Sequence, residues 1–446
     1  MVALPLLSHN NPASTFAYSG ERSMSAGQFL SDVLELSAQL PQRQYILNLC
    51  SDRYRFAVGF AAALLRQQIN LLPPNTTTGM VEQLRHQYPD LYCLTDGGST
   101  LPALECMPYP QMAGLSSDFA FPPTVPVAQT AAIVFTSGST GLPVAHLKSW
   151  GSLVKSAQVE AERLNLGPHF PATILATVPS QHMYGLESAL LIAMQNGLAF
   201  CAEHPFYPTD ICTHLAHLPQ PRGLVTTPIH LRALLAENIN LPAVDFVVCA
   251  TAPLSAQLAA DAETRFQAPL HEIYGCTEAG QIATRRPAQS PEWRTFSELK
   301  LRQGIDGIWV SGGHVEREIL LNDVLELHDE ETFLLHGRAA DLVNIAGKRT
   351  SLSHLNFHLN AIAGVVDGVF IMPNETGNKL TRPLALVVAP SLSRTAILTA
   401  LRQRIDPVFL PRPLHFVDAL PRNSTGKLPH AALEQLLHQF TKASTD

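Results

Sequence analysis

Four hydroxyl side chains follow an apolar run in the first third of the chain. The run 131–135 (AAIVF) is typical of a buried strand, and it leads into a loop of Thr136, Ser137, Gly138, Ser139, Thr140 and Gly141. Glycines let such a loop turn tightly with its N–H groups pointing inward, and the hydroxyls add donors, so the loop suits a polyphosphate. A Ser/Gly-rich linker has a similar composition, but the strand in front argues against it. The loop is not a P-loop, because no Gly-Lys-Ser/Thr is present.

A second segment, 271–280 (HEIYGCTEAG), places a hydroxyl beside a carboxylate where a strand is predicted to stop. The strand ends at Tyr274, Gly275 turns the chain, and Thr277 and Glu278 project beyond it. Ligands of open α/β sheets bind at the carboxyl ends of the strands. A Thr–Glu pair at that place can hold a phosphate oxygen and Mg²⁺, since Mg²⁺ prefers oxygen ligands.

Two basic segments follow at a change in charge balance. Arg338 lies in 334–352 (LLHGRAADLVNIAGKRTSL), and Lys427 is displayed by the NSTG turn of 420–430 (LPRNSTGKLPH). Residues from Arg338 to the end include 12 Lys/Arg and 7 Asp/Glu, a net of +5, whereas the preceding residues carry 18 and 30, a net of −12. We therefore predict a large domain, 1–337, and a small domain, 338–446.

The elements that position these residues alternate in type along the chain. Apolar runs typical of strands are separated by helical patterns of 10–15 residues, which predicts parallel βαβ units and an α/β fold with a doubly wound large domain. The predicted strands are 45–50, 69–72, 91–96, 173–178, 222–226, 245–249 and 270–274, and the predicted helices are 51–67, 185–195, one from 228, and 254–266. We expect an irregular connector at 107–127, shorter strands from about 300, and a small α+β region after 338.

Composition indicates a globular chain. Of 446 residues, 46% are hydrophobic and 15% are charged, and no apolar run approaches the roughly 20 residues of a membrane span. We expect a cytoplasmic protein without a signal peptide, membrane insertion or a nucleic-acid partner. The seven cysteines are scattered, which argues against a disulfide framework or a zinc ribbon. The pairs His214/His217 and His354/His358 have no Glu or Cys companion in register, so we predict no metal site there.

The chain closely resembles the adenylate-forming superfamily of acyl-CoA synthetases, non-ribosomal adenylation domains and firefly luciferase. Seven segments match its motifs in order from about residue 131 to 430: FTSGSTGLP (135–143), PSQHMYG (179–185), CATAPL (249–254), YGCTE (274–278), LND (321–323), GRAADLVNIAGKR (337–349) and NSTGK (423–427). The resemblance implies a large N-terminal domain and a small mobile C-terminal domain that carries the catalytic lysine.

The resemblance also implies a role for each matched residue. The loop Thr136–Thr140 would hold the β- and γ-phosphates of ATP, Thr277 the α-phosphate, and Glu278 the Mg²⁺. Tyr274 would stack on adenine along the backbone of Thr251, Ala252 and Pro253, while Asp323 would bind the ribose and Arg338 the nucleotide. Lys427 would bridge the acyl carboxylate and the α-phosphate, and His182 would lie at the acyl site. Positioning and electrostatics carry most of such phosphoryl chemistry.

Three positions depart from the family pattern. Val144 replaces the lysine that follows the loop proline, Ala340 replaces one hinge residue beside Asp341, and Leu-Asn-Asp replaces Thr-Gly-Asp. If 144–148 is a strand, His146 and Lys148 share a face with Val144, so either could supply part of the missing charge. Glu278, Asp323, Arg338 and Lys427 all remain, which favours a divergent enzyme.

We therefore predict an AMP-forming acid–thiol ligase. It would activate an aryl or fatty acid with ATP and Mg²⁺, then transfer the acyl group to a pantetheine thiol of coenzyme A or of an acyl carrier protein. One alternative is an amino-acid-activating adenylation domain, which would need an Asp to pair with the substrate ammonium. The helix predicted at the acyl site has His182 and Glu187 but no Asp. Another is a nucleotide-binding homologue with impaired catalysis.

Overall fold

The chain was analysed in a computed structural model. The described residues are 2–97, 101, 104–114, 121–137, 143–237, 239–338, 342–345, 348–372, 382–423, 428, 432–433, 435–437 and 440. Gly138, Ser139, Thr140, Gly141, Ala340, Asp341 and Lys427 lie outside them, as do the side chains of Ser137 and Arg338.

Twenty-seven strands are present in the described part of the chain. They are β1 (Ala3–Pro5), β2 (Thr15–Ser19), β3 (Arg22–Ser25), β4 (Tyr45–Asn48), β5 (Ile69–Leu72), β6 (Leu91–Thr95), β7 (Cys106–Pro108), β8 (Thr124–Pro126), β9 (Thr130–Ser137), β10 (Pro143–Ser149), β11 (Thr173–Ala176), β12 (Ala199–Cys201), β13 (Arg222–Thr226), β14 (Phe246–Cys249), β15 (Leu270–Cys276), β16 (Gly280–Arg285), β17 (Trp293–Thr295), β18 (Leu299–Gln303), β19 (Ile308–Gly312), β20 (Val315–Leu320), β21 (Asp323–Leu327), β22 (Thr332–Arg338), β23 (Leu342–Ile345), β24 (Lys348–Ser351), β25 (Asp367–Ile371), β26 (Leu384–Val388) and β27 (Leu414–Phe416).

The helices of the same residues lie mostly between these strands. They are α1 (Ala26–Gln39), α2 (Arg53–Leu65), α3 (Thr78–Gln87), α4 (Trp150–Arg163), α5 (Met183–Gly185), α6 (Ile192–Asn196), α7 (Pro208–His217), α8 (Pro228–Ala236), α9 (Ala256–Phe266), α10 (Leu352–Asn360) and α11 (Arg394–Arg402). A π-helical segment, Leu186–Leu191, joins α5 to α6, so the predicted helix 185–195 is one continuous helix in which a π-helical stretch lies between two α-helical ones.

Two large sheets form the α/β body. One has the order β10-β9-β5-β4-β6-β7 and the other β21-β22-β17-β16-β15-β14-β13-β11-β12-β2-β3. Neighbouring strands from β2 through β12, β11, β13 and β14 to β15 are parallel, and β16 starts the antiparallel extension. One hydrophobic cluster joins residues of both sheets with α1, α2 and α4, and another joins the eleven-stranded sheet with α7, α8 and α9. Helices on both faces confirm the doubly wound α/β prediction.

The chain after residue 341 has its own sheets and its own apolar cluster. Strands β25, β26 and β27 form a three-stranded sheet, and their residues pack with α10 and α11. Ser351 Oγ donates to the carbonyl of His336 at 2.8 Å across the predicted boundary. The boundary at 337/338 itself stays a prediction. The sequence also predicts a terminal helix at 430–440 (HAALEQLLHQF), and this segment falls largely outside the described residues.

Sequence periodicity missed several short strands. The connector 107–127 contains part of β7 as well as β8, and the shorter strands expected from about 300 are preceded by β16 and β17, the first of which begins at Gly280. These strands pair with partners distant in sequence, β8 with β1 for example, and local periodicity does not encode such pairing. Among the described residues, no helix is long and apolar enough to cross a membrane. All seven cysteines are free thiols.

Candidate active site

The turn after β15 is fixed by a close approach of two strands. A Cβ on Gly275 would lie 2.3 Å from the carbonyl oxygen of Gly280, so only glycine fits there. Gly280 itself has φ of +83°, the left-handed region that favours glycine. Between these two glycines the chain presents Thr277 and Glu278, both half-buried, at the carboxyl end of the strand. The turn therefore holds a hydroxyl and a carboxylate where the sequence predicted them.

Tyr274 and Asp323 are brought together by this sheet. The hydroxyl of Tyr274 donates to Asp323 Oδ2 at 2.7 Å, and the Tyr274 ring packs edge-on against Trp293 and Phe333. Asp323 faces Arg338 in the register of β21 and β22. Three candidate nucleotide-binding residues from three strands are thus neighbours.

Strand β9, which leads into the predicted phosphate loop, is linked to the same turn by His146 of its neighbour β10. Thr136 Oγ1 lies 3.0 Å from His146 Nε2, and that nitrogen lies 4.0 Å from Glu278 Oε1. Burial lowers the pKa of His146 and the charge of Glu278 opposes this shift. The end of β9 and the turn after β15 therefore belong to one site.

Lys148 is hydrogen-bonded to the turn that contains Glu278. Its Nζ donates to the backbone carbonyl of Glu278 at 2.7 Å, and the side chain is buried. Burial lowers the Lys148 pKa, with the charge of Glu187 as the largest opposing influence. The predicted shared face of His146 and Lys148 is confirmed by these contacts, although Lys148 is committed to the turn. Val144 is 48% exposed.

The segment Thr251–Pro253, which is predicted to lie along the adenine, follows β14. A carboxylate outside the predicted site residues holds it in place. Thr251 has φ of +83°, a strained value for a non-glycine residue. Directly after Ala252 and Pro253, the N–H of Leu254 donates to Glu272 Oε1 at 3.1 Å. Glu272 is buried and also accepts from Arg285 at 2.7 Å. The sequence signal that could have identified Glu272 is its position as a charged residue inside the predicted strand 270–274.

The segment 179–185, which is predicted to lie at the acyl site, is hydrogen-bonded to the ends of β13 and β14. The Tyr184 hydroxyl lies 3.0 Å from the carbonyl oxygens of both Thr226 and Val248. A Cβ on Gly185 would lie 2.0 Å from the Pro179 carbonyl oxygen, which explains the proline-to-glycine spacing of the segment. His182 is half-buried at the start of α5.

A cavity of about 180 Å³ lies between the large body and the chain beyond residue 341. On one side it is lined by Thr251, Ala252, Pro253, Thr227 and Arg232, and on the other by Asn356, Phe357, Arg422 and Leu428, among others. Burial lowers the pKa of Arg232, and the charge of Asp367 opposes this. No sequence motif pointed to Arg232. The predicted adenine segment therefore faces a space shared by both parts of the chain.

Thr136 of the six-stranded sheet thus lies in one cluster with Tyr274, Glu278 and Asp323 of the eleven-stranded sheet. Together with the doubly wound fold, this cluster is the arrangement expected of an adenylate-forming enzyme. The model of the AMP-binding enzyme family matches residues 34–299, which is more than half of the chain. The chain belongs to this family, and with it to the adenylate-forming superfamily.

Known proteins resemble the chain over different lengths. A 4-coumarate–CoA ligase of Halorhodospira halophila is 27% identical over 307 residues, 66% of this chain and 73% of that protein. 4-Coumarate–CoA ligase 1 of Solanum tuberosum is 33% identical over 160 residues, which are 34% of this chain and 29% of the plant enzyme. The structure of O-succinylbenzoate coenzyme A synthetase from Bacillus subtilis, in complex with ATP and magnesium ion, has a TM-score of 0.80 at 17% identity. That match covers 97% of this chain and all of the other (100%).

Proposed function

We propose that this protein activates an aryl carboxylic acid with ATP and transfers the acyl group to a pantetheine thiol. The carboxylate oxygen of the acid attacks the α-phosphorus and pyrophosphate leaves, which gives the acyl-AMP. The thiolate then attacks the acyl carbon and AMP leaves. The observation that carries the proposal is the convergence of Thr136 of β9, Glu278 in the turn after β15, and the Tyr274–Asp323 pair of β15 and β21.

The proposed nucleotide site uses both halves of this arrangement. Asp323 would bind the ribose while Tyr274 keeps its carboxylate oriented, and Thr277 would donate to the α-phosphate. Thr251, Ala252 and Pro253 would lie along the adenine. The loop Gly138–Gly141 would receive the β- and γ-phosphates, and Arg338 would steady the nucleotide from the domain boundary. Hydrogen-bond donors fixed before the substrate binds stabilise charge that develops during the reaction.

Glu278 fits a magnesium ligand. Its side chain is 31% exposed, and its Oε1 lies 4.0 Å from His146 Nε2. A half-exposed carboxylate at this position matches the oxygen donors and retained waters that Mg²⁺ prefers. When bound, Mg²⁺ neutralises charge on the ATP phosphates.

The acid is proposed to be an aryl acid without an α-amine. Glu187, the acidic residue of the acyl-site helix, is 3% exposed and accepts from Ser156 Oγ at 2.7 Å. It is therefore already partnered beneath the surface, which disfavours pairing with a substrate ammonium. Met183 and Tyr184 supply apolar surface near His182. The aligned 4-coumarate–CoA ligases support an aryl acid over a fatty acid.

The proposed acceptor is a pantetheine arm, on coenzyme A or on an acyl carrier protein. Both carriers are anionic, whereas residues 338–446 carry a net charge of +5. Charge complementarity acts mainly on the rate of encounter. The named activity of the aligned ligases favours coenzyme A as the first acceptor to test.

ATP–pyrophosphate exchange tests the proposal directly. The purified chain is assayed with hydroxycinnamic, benzoic, fatty and amino acids, and we expect exchange with the aryl acids. Lys427→Ala should lower exchange about 100–1,000-fold, since it removes a charge used chiefly in the transition state. Lys348→Ala is the matched control, because Lys348 is exposed and pairs with Asp406. ATP binding without exchange for any acid would support the catalytically impaired homologue and overturn the proposal.

A further inference from the structure

A second cluster of chemically active side chains lies on α7 and the end of β12. Cys201 is the last residue of β12, Glu203 follows two residues later, and His214 lies in the last turn of α7. One ligand atom from each of these residues lies within 4.8 Å of the other two. The sequence predicted no metal at His214 because no companion stood in helical register. The companions come instead from a neighbouring strand.

The three atoms are a recognisable ligand set. A thiolate sulfur, an imidazole nitrogen and a carboxylate oxygen are the three donors that Zn²⁺ accepts in proteins, at about 2.3, 2.0 and 2.1 Å. Tetrahedral geometry at such bond lengths separates the donors by roughly 3.3–3.8 Å. Cys201 Sγ and Glu203 Oε2 are 3.0 Å apart, so they need to separate slightly while the widest pair closes by about 1 Å. Mg²⁺ and Ca²⁺ are poor candidates, because a thiolate is too soft for them.

Glu203 is held in place by a second layer of hydrogen bonds. Its Oε1 accepts from Ser19 Oγ at 2.9 Å and from the N–H of Gly20 at 2.8 Å, while Oε2 faces Cys201. Such outer bonds orient a ligating carboxylate before the metal arrives. Cys201 is buried and Glu203 and His214 are half-buried, so the cluster borders solvent on one side.

The positive charge of Arg53 influences this cluster. It is buried, and its charge acts on both Cys201 and Glu203. Burial and the neighbouring Glu203 carboxylate raise the pKa of the Cys201 thiol, and the charge of Arg53 opposes this rise while it also repels a bound cation. Cys201 and Glu203 together carry two negative charges once the thiol is ionised, so the metal complex would be neutral beside Arg53. The guanidinium is also bonded to the carbonyls of Ala176 and Val178, which keeps it directed along β11.

We propose that Cys201, Glu203 and His214 form a zinc site, with a water molecule as the fourth ligand. The Cys201 S–H bond breaks as the metal–sulfur bond forms, and the proton passes to solvent. The metal would clamp α7 onto the end of β12. This site is separate from the proposed adenylation chemistry, and neither proposal depends on the other.

Cobalt titration of the chelator-treated full chain tests the site, because cobalt(II) bound to a thiolate gives a charge-transfer absorption that histidine-only binding lacks. We expect about one equivalent to bind with this absorption and zinc to displace it. Cys201→Ser should abolish the absorption, and His214→Gln should weaken cobalt binding at least about tenfold. Ser19→Ala should weaken it about tenfold, the usual effect of losing an outer hydrogen bond.

Cys212→Ser and His217→Gln are matched controls on the same helix. Cys212 faces the charge of Arg265, and His217 Nδ1 bonds to the Thr213 carbonyl, so both should leave cobalt binding unchanged. Zinc should also raise the melting temperature of the wild type and not that of Cys201→Ser, which reports binding without the cobalt spectrum. No saturable thiolate absorption in the wild type, or an absorption that survives Cys201→Ser, would overturn the proposal.

Discussion

The Glu278 turn and the acid pair of Glu160 and Glu187 are neighbours through Lys148, yet their carboxylates are in opposite surroundings. Glu278 is 31% exposed at a strand end, whereas Glu160 and Glu187 are buried between α4, the π-helical segment and β16. Glu160 Oε2 accepts from Gln281 Nε2 at 2.7 Å, and Glu187 accepts from Ser156. Burial raises the pKa of Glu160 to about 8 and that of Glu187 to about 7.

The comparison shows that position, and not residue type, decides what a carboxylate can do. A strand end keeps Glu278 open to a cation, while desolvation favours the neutral form of the two buried acids. Lys148 serves both regions, because it bonds to the Glu278 carbonyl and its charge acts on Glu187. Four substitutions test this division.

Glu278→Gln should have the largest effect. Removing the negative charge from the turn should lower ATP–pyrophosphate exchange about 100–1,000-fold, with little change in stability. Glu187→Gln is the matched control, because its amide oxygen can still accept from Ser156 and exchange should change less than threefold. Equal losses in both variants would mean that the two regions are not distinct in function.

Lys148→Met should destabilise the chain by about 2 kcal/mol, the usual cost of losing a buried charged donor. The Glu278 carbonyl loses its hydrogen bond and Glu187 loses a nearby cation. Urea unfolding measures the change. Lys155→Met is the control, since the exposed Lys155–Glu298 pair should contribute under about 1 kcal/mol. A Lys148→Met chain as stable as the control would show that the Glu278 turn does not need this support.

Glu160→Gln should flatten the pH dependence of stability. Between pH about 4.5 and about 8 the folded chain retains a proton on Glu160 that the unfolded chain has lost. Stability therefore falls as pH rises through this window, by up to about 1.4 kcal/mol per pH unit for one proton, and levels off above it. Urea unfolding from pH 5.5 to 8.5 should show a shallower slope in the variant. An unchanged slope would place the proton elsewhere.

Val144→Lys should have the smallest effect. Val144 is 48% exposed, so folding should be unaffected, and the added charge should tighten ATP binding by about 1 kcal/mol. Leu147→Lys adds the same charge at a 63% exposed position of β10 that alternates with His146 and Lys148, and it should leave ATP binding unchanged. Lost activity in Val144→Lys would mean that His146 or Lys148 already acts at the phosphates.

Much of the body was predictable because the signals are local. Strands β5 and β13 have the predicted bounds, and β4, β11 and β14 differ by one or two residues. Buried parallel strands read as continuous apolar runs between helices, and that pattern does not depend on distant contacts. The shorter strands expected from about 300 are present as β19, β20 and β22, whereas β16 and β17 before them were missed, since their apolar runs are brief.

By itself, the sequence determined the order of the elements and which residue types stand at the strand ends, including Thr136, Tyr274, Glu278 and Asp323. Only the tertiary structure decided which of them meet. Tyr274 and Asp323 are 49 residues apart, Lys148 and the Glu278 carbonyl 130 apart, and Cys201 meets His214 because α7 packs against β12. Such contacts depend on sheet order and register, so no local pattern specifies them. Burial has the same origin, because the neighbours that desolvate Glu160, Glu187 and Lys148 come from several separate segments.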